Sequence, residues 1–193
     1  MALQHPELST PHAKIVLARS SLARAMLEFQ LRNRDHLSPW GPQHSDSYYT
    51  EAYWITSFRQ AVRDWDEGRA VRLLMLDPAQ PQRVIGTISY TNIVRGVFQA
   101  CHLGYSIDAQ HEGKGQMRQA LKVTNDYMFQ RMKLHRIQAN YQPHNDRSAR
   151  LLSRLGFMIE GKASRYLFID GEWRDHVLSS LINPDFKPEF ILG

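Results

Sequence analysis

The feature that most constrains this chain is a change of hydrophobic period at residues 108–116. Before it lie three β-like runs. Val71–Leu76 holds five apolar residues around Arg72, Val84–Val94 is β-branched with polar interruptions, and Val97–Ile107 comes after a tight turn at Arg95-Gly96. After it, Met117, Ala120, Leu121, Thr124 and Met128 share one face of a helix over about 115–131. Three strands in succession exclude a purely parallel doubly wound sheet, whose strands alternate with helices. The flanking segments complete the pattern. Lys14–Ala18 reads as a first strand. Leu22, Ala25, Met26 and Phe29 give a helix over about 21–35, and Pro39 and Pro42 break the segment after it. Thr50 caps a second helix with Trp54, Phe58, Ala61, Val62 and Trp65 on its apolar face, ended by Gly68. Arg136–Tyr141 is a short strand, and Ala149, Leu152 and Leu155 mark a short helix stopped at Gly156. Two last strands, near 158–169 and 173–182, meet at Asp170-Gly171, a type I′ hairpin signal. The order β-αα-βββ-α-β-α-ββ predicts an α/β (α+β) fold. Its sheet is mixed, with about seven strands and four helices on its faces.

A length of 193 residues fits one domain, with loose ends at about 1–12 and 184–193. With 42% hydrophobic and 22% charged residues, the composition is globular, not disordered. Cys101 is the only cysteine, so neither an internal disulfide nor a thiolate cluster is available. It alternates with Leu103 and Tyr105 and is expected to pack as a small apolar residue. The nine histidines show no metal-ligand spacing, so no metal is expected. No apolar run approaches the roughly 18 residues of a membrane span, and the first residues lack an apolar signal core. A soluble, cytoplasmic protein is expected. The net charge of +5 points to an anionic partner. It is concentrated: residues 112–165 hold eleven Lys/Arg against four Asp/Glu, and the remaining chain holds 13 against 15.

The segment at the period change joins a strand to a helix through Gln110-His111-Glu112-Gly113-Lys114-Gly115. Glycines let backbone approach a phosphate, and the free N–H groups and dipole of a helix start favour an anion. A Walker A loop is excluded because Gly115, not Ser or Thr, follows Lys114. A dinucleotide fingerprint is excluded because position 118 is Arg118. The pattern that fits is Gln-x-x-Gly-x-Gly. On this motif and element order the chain resembles the GNAT superfamily of acetyl-CoA-dependent N-acetyltransferases. Further on, Asn140–Ser148 and Leu151–Phe157 resemble the second cofactor segment of the ribosomal-protein acetyltransferases. Asn92–Gly96, Leu103–Ile107, Asp170–His176 and His36–Trp40 resemble its RimJ-like branch, which acetylates the N-terminal alanine of a small-subunit ribosomal protein. The resemblance runs over about residues 12–185. His12-Ala13-Lys14 replaces the usual opening of the group.

The resemblance implies a sheet splayed between its fourth and fifth strands, with acetyl-CoA in the gap. Ser106, Ile107 and Asp108 would offer backbone groups to the pantetheine and acetyl carbonyl. Gln110, His111, Glu112, Gly113, Lys114, Gly115 and Gln116 would cradle the pyrophosphate, with Glu112 tolerable if it points away. Asn145 is an N-cap from its position and a pantetheine ligand from the resemblance. Ser148 is the candidate acid near the thioester sulfur, because Leu152 occupies the position where many GNAT enzymes carry a tyrosine acid. His102 is a candidate base, with His144, Tyr105 and Tyr141 as alternatives. Trp54 and Trp65 read as core. Trp40 reads either as a wall of the acceptor channel or as a packed loop anchor. The implied partner is a ribosomal protein N-terminus, with proximity to the ribosome or its RNA and no membrane; monomer and homodimer are both open. Acetylation of a small amine (polyamine, amino sugar or peptide antibiotic) and a ribosome-assembly role on RNA are the competing functions.

Overall fold

The computed structural model describes residues 5–191. An N-terminal hairpin comes first, β1 (Glu7–Thr10) and β2 (Ala13–Leu17), in antiparallel register from Glu7–Val16 to Thr10–Ala13. Residues expected to be loose thus include an edge strand. Its four residues are flanked by Pro6 and Pro11 and carry one apolar side chain, Leu8, which packs on the core. So short and polar a run has almost no β signal of its own; pairing with β2 orders it.

The expected helix over 21–35 is two helices, α1 (Ala23–Arg32) and α2 (Arg34–Leu37). The break is at buried Asn33. Its Nδ2 donates to Phe29 O at 2.9 Å, and its Oδ1 accepts from the Ala109 N–H at 3.0 Å. A side chain recruited to a loop 76 residues away has overridden the helical period. Helix α3 (Glu51–Asp66) starts as expected, with Thr50 Oγ1 accepting from the Tyr53 N–H. Strands β3 (Val71–Asp77), β4 (Gln80–Val94) and β5 (Ala100–Ile107) form an antiparallel meander. Then come helix α4 (Gln116–Gln130), strand β6 (Arg136–Gln138), helix α5 (Asp146–Arg154) and the hairpin β7 (Met158–Ile169) and β8 (Glu172–Ile182). Asp170 and Gly171 at its turn both have positive φ, 49° and 78°, as a type I′ turn requires.

Among the described residues the sheet has eight strands in the order β1-β2-β3-β4-β5-β6-β8-β7, and only the β5–β6 pair is parallel. The mixed, mostly antiparallel α/β class is as expected, with one more strand than the expected seven and a fifth, one-turn helix. Two apolar layers flank it. One joins Ile15, Leu73, Ile88, Cys101 and Leu103 to the α4 side chains Met117, Leu121 and Met128. The other joins Val16, Leu74 and Val84 to Phe29 of α1 and Trp54 and Phe58 of α3. Trp54 and Trp65 are both buried. Burial pushes the Cys101 thiol up to about 12, so it is protonated packing, not a nucleophile.

β5 and β6 pair only over Ala100–Arg136, Cys101–Ile137 and His102–Gln138. Beyond that level β5 runs on to Ile107. The segment after β6 turns away instead, exchanging bonds with β8 through Ala139 N–H to Ser179 O (3.0 Å) and Val177 N–H to Tyr141 O (2.8 Å). The sheet therefore opens as a V between β5 and β6, the splay that the resemblance implied.

Gly86 lets β4 pass close behind the open edge. A Cβ there would lie 2.9 Å from Ser106 O and 3.0 Å from Met75 Sδ. We expect Gly86→Ala to cost about 1–3 kcal/mol in denaturant unfolding; an unchanged midpoint would show that β4 and β5 have slack at this level.

Candidate active site

The V opens into a cavity of about 1140 Å³ that reaches through to the opposite sheet face. Its two halves are built differently.

On the first side, β5 leads through Asp108–Gly115 into α4. Gly113 and Gly115 have φ of 72° and 73°, the left-handed region that favours glycine. No side chain caps α4, and its first intrahelical bond is Gln119 N–H to Gly115 O at 3.2 Å. The preceding N–H groups of the first turn therefore have no intrahelical partner and form an anion-binding end. Ser106, Ile107, His111, Gly113, Gly115 and Gln116 all line the cavity. Ser106 Oγ is 2.8 Å from Thr87 Oγ1, and His111 Nδ1 is 2.9 Å from Gln116 Oε1. Across the V, Asn145 and Ser148 line the facing wall at the start of α5. Asn145 is the N-cap there, accepting from the Ser148 N–H at 3.0 Å.

Four expected residues stand elsewhere or act differently. Asp108 is 1% exposed and faces α1: its carboxylate accepts from Arg32 Nε at 2.7 Å, the Gln110 N–H at 2.9 Å and Asn33 Nδ2 at 3.4 Å. Its own N–H is spent on Ile85 O at 2.9 Å. Burial pushes this carboxyl up, but the hydrogen bonds from Gln110, Arg32 and Asn33 outweigh it and hold the pKa below its ordinary value. Asp108 thus positions the loop. Gln110 turns to the outer surface, where its Oε1 accepts from Arg83 Nη2 at 2.9 Å. Lys114 is exposed and lies outside the cavity wall. Glu112 does not point away. It lines the cavity, where it pairs with Arg147 of α5 and lies 3.5 Å from His36 Nε2 of α2.

On this half of the wall the positive charge comes from residues not named as ligands from the sequence: Arg118 of α4 and Arg147, Arg150 and Arg154 of α5. The last three recur at i, i+3 and i+7, one helical stripe, and that spacing was the available signal.

The opposite half is aromatic. Tyr48, Tyr49, Tyr53, Trp54 and Phe58 line it, with Arg34 4.5 Å over the Tyr49 ring. Burial raises the Tyr48 hydroxyl well above its ordinary pKa. A roof spans this chamber. Gly41 O accepts from the Asp170 N–H at 3.3 Å, Gln43 Nε2 donates to Asp170 Oδ1 at 3.4 Å, and Gln142 Nε2 donates to Pro39 O at 3.2 Å. Trp40 both lines the cavity and packs its ring 5.5 Å from that of His144. Deeper in, Arg72 is held on β3 by Asp64 of α3 at 2.6 Å. His102 is outside the cavity wall; burial lowers its pKa, and its Nδ1 has no hydrogen-bond partner among the described residues. The candidate base thus stands behind the wall that holds Ser106 and Ser148, not on it. His144 and Tyr141 are also off the wall. Tyr105 is on it, its phenol pushed up to about 12 by burial, with Ser148 acting against that rise.

A mixed sheet splayed beside an anion-binding strand–loop–helix defines a class, and the chain belongs to the GNAT acetyltransferase family. The model of that family, the acetyltransferase (GNAT) domain, matches residues 15–158. Among relatives, the [ribosomal protein uS5]-alanine N-acetyltransferase of Escherichia coli is 40% identical over 181 residues, 94% of this chain and 93% of that protein. Among solved structures, ribosomal-protein-S5-alanine acetyltransferase from Vibrio fischeri superposes with a TM-score of 0.91 at 42% identity. That match covers 95% of this chain and 100% of that one. Mycobacterium smegmatis RimJ, solved in complex with CoA-disulfide, superposes at 0.82 with 27% identity over 92% and 86% of the two chains.

Asp108→Asn should unfasten the loop from α1, at a cost of about 3 kcal/mol for a charge pair broken on a buried carboxylate. The lowered pKa stabilises the fold above roughly pH 4 and loses that contribution as pH falls through the folded-state value. Unfolding measured from pH 7 to pH 2 should therefore show a shallower acid loss in the variant. Parallel curves would remove this role.

Proposed function

We propose that this protein is an acetyl-CoA-dependent N-acetyltransferase that acetylates the N-terminal alanine α-amine of a small-subunit ribosomal protein. The observation that carries the reading is one continuous cavity with a phosphate-suited half and a roofed aromatic half, meeting where β5 leaves β6. The similarity to enzymes named for uS5 or S5 alanine acetylation over more than nine-tenths of the chain supports the acceptor class.

The donor set fits coenzyme A. Open N–H groups at Gly113–Gln116 and the α4 start suit the pyrophosphate, and Arg118, Arg147, Arg150 and Arg154 suit its phosphates. The open edge of β5 at Ser106–Ile107 and the Asn145 side chain suit the amides of the pantetheine arm. When bound, acetyl-CoA supplies an activated acyl carbonyl. The chain holds that group and the amine together, which removes much of the entropic barrier to their reaction. Ser148 holds a hydroxyl proton at the α5 start, beside Tyr105, and is the donor to the departing sulfur; the proton it passes on is replaced, through water, by the one the amine releases. A peptide α-amine has an ordinary pKa near 8, so a neutral fraction exists at pH 7 and water can carry its proton away.

Incubating small-subunit ribosomal proteins with the enzyme and acetyl-CoA should add one acetyl mass to an alanine-initiated protein in intact-mass spectra. Preferential acetylation of polyamines or aminoglycosides would overturn the acceptor assignment. Ser148→Ala should lower kcat about a hundredfold while KM for acetyl-CoA moves less than about threefold; an unchanged kcat would remove Ser148 as the proton donor.

A further inference from the structure

Gly104 is exposed although it lies on a central strand of an eight-stranded sheet. It sits in regular ladder, level with Ser89 on β4, with Arg72 beyond on β3. The two other strand glycines with ordinary φ have visible causes. Gly86 is demanded by close packing, and Gly161 marks a register shift on the outermost strand. Gly104 has neither cause: its φ is outside the left-handed region, no bulge falls at its level, and a Cβ there would meet no atom within 4 Å. A glycine inside a strand costs roughly 0.5–1 kcal/mol relative to alanine, with nothing in the packing to offset it.

Its position supplies a reason. His102–Gln138 is the last β5–β6 pair, so Gly104 is the next residue of β5 on the same face, at the vertex where the V begins to open. It lines the cavity, as do Ser89, Thr87 and Ser106 around it, all small. On this sheet face α1 and α3 cover Val16, Leu74 and Val84, but the Arg72–Ser89–Gly104 row opens to the cavity instead. An amine that reaches a thioester through this vertex brings its own Cβ within about 2.5 Å of the nitrogen, by covalent geometry. The space that Gly104 leaves open lies beside that path and can take the side chain of the first acceptor residue.

We propose that Gly104 is the specificity-determining residue of the acceptor side: a size gate at the splay vertex that admits the side chain of the acceptor's first residue. This rests on the N-terminal acetyltransferase reading. The gate acts on bulk next to the reacting nitrogen and leaves the cofactor half alone.

The test uses peptides identical except for Gly, Ala or Val at the first position, with the full-length enzyme and acetyl-CoA. Gly104→Ala should lower kcat/KM for the Ala-initiated peptide about tenfold relative to the Gly-initiated one, the scale of one methyl in a fitted pocket. Ser89→Val narrows the same space from β4 and should shift the ranking in the same direction. Acetyl-CoA affinity by calorimetry should stay within about twofold in both. An unchanged Ala-to-Gly ratio in both folded variants overturns the gate. If the wild type acetylates none of the peptides but does acetylate free amines, the N-terminal reading fails separately. The gate is then read on ethylamine, isopropylamine and tert-butylamine, where both variants should steepen the fall with bulk and an unchanged slope overturns it. No turnover of either series overturns both.

Discussion

The parting of β5 from β6 after His102–Gln138 is the constraint on which the rest depends. Strand backbone carries polar groups that need partners, yet among the described residues no strand lies opposite Leu103–Ile107 on that edge. The segment after β6 bonds instead to β8, through Ala139 and Tyr141 to Ser179 and Val177. A groove with open backbone on one wall results, and it runs from one sheet face to the other. Both halves of the cavity and the row at Gly104 arise from that divergence.

A buried carboxylate ties one wall of the gap to the helices. Asp108 turns its carboxylate away from the cavity onto Arg32 and Asn33, which fastens the end of β5 to the junction of α1 and α2. Asn33 completes the tie by accepting from the Ala109 N–H. The phosphate-suited loop is thereby hung from the helices that also flank the aromatic chamber. From that loop Glu112 spans the gap to Arg147 on the facing wall and approaches His36. A carboxylate in an anion-binding loop is opposed to its neighbours by sign, and a guanidinium beside it offsets that opposition.

Much of this was legible in residue order. The period change at 108–116 located the loop, Thr50 the start of α3, and Asp170-Gly171 the last hairpin, because each rests on interactions within a few residues. The concentration of positive charge at 112–165 was legible too, but not its bearers: Lys114 is outside the wall, while the Arg147–Arg150–Arg154 stripe faces in. Gln110 and Asp108 fit a motif by position, yet their side chains serve Arg83 and Arg32, partners 27 and 76 residues away. β1 and the break at Asn33 left no local signal for the same reason. Their cause lies in a remote segment.

The sequence by itself determined the class of fold, the place of the anion-binding turn and the family, since periodicity, turn residues and glycine spacing are local encodings of backbone geometry. Only the tertiary structure decided which side chains face the cavity, that His102 stands off its wall, and that Gly104 stands at an open vertex with no packing cause for being glycine. Those properties depend on which strand lies beside which and where pairing stops. That is settled by contacts between segments distant along the chain, which no local pattern records.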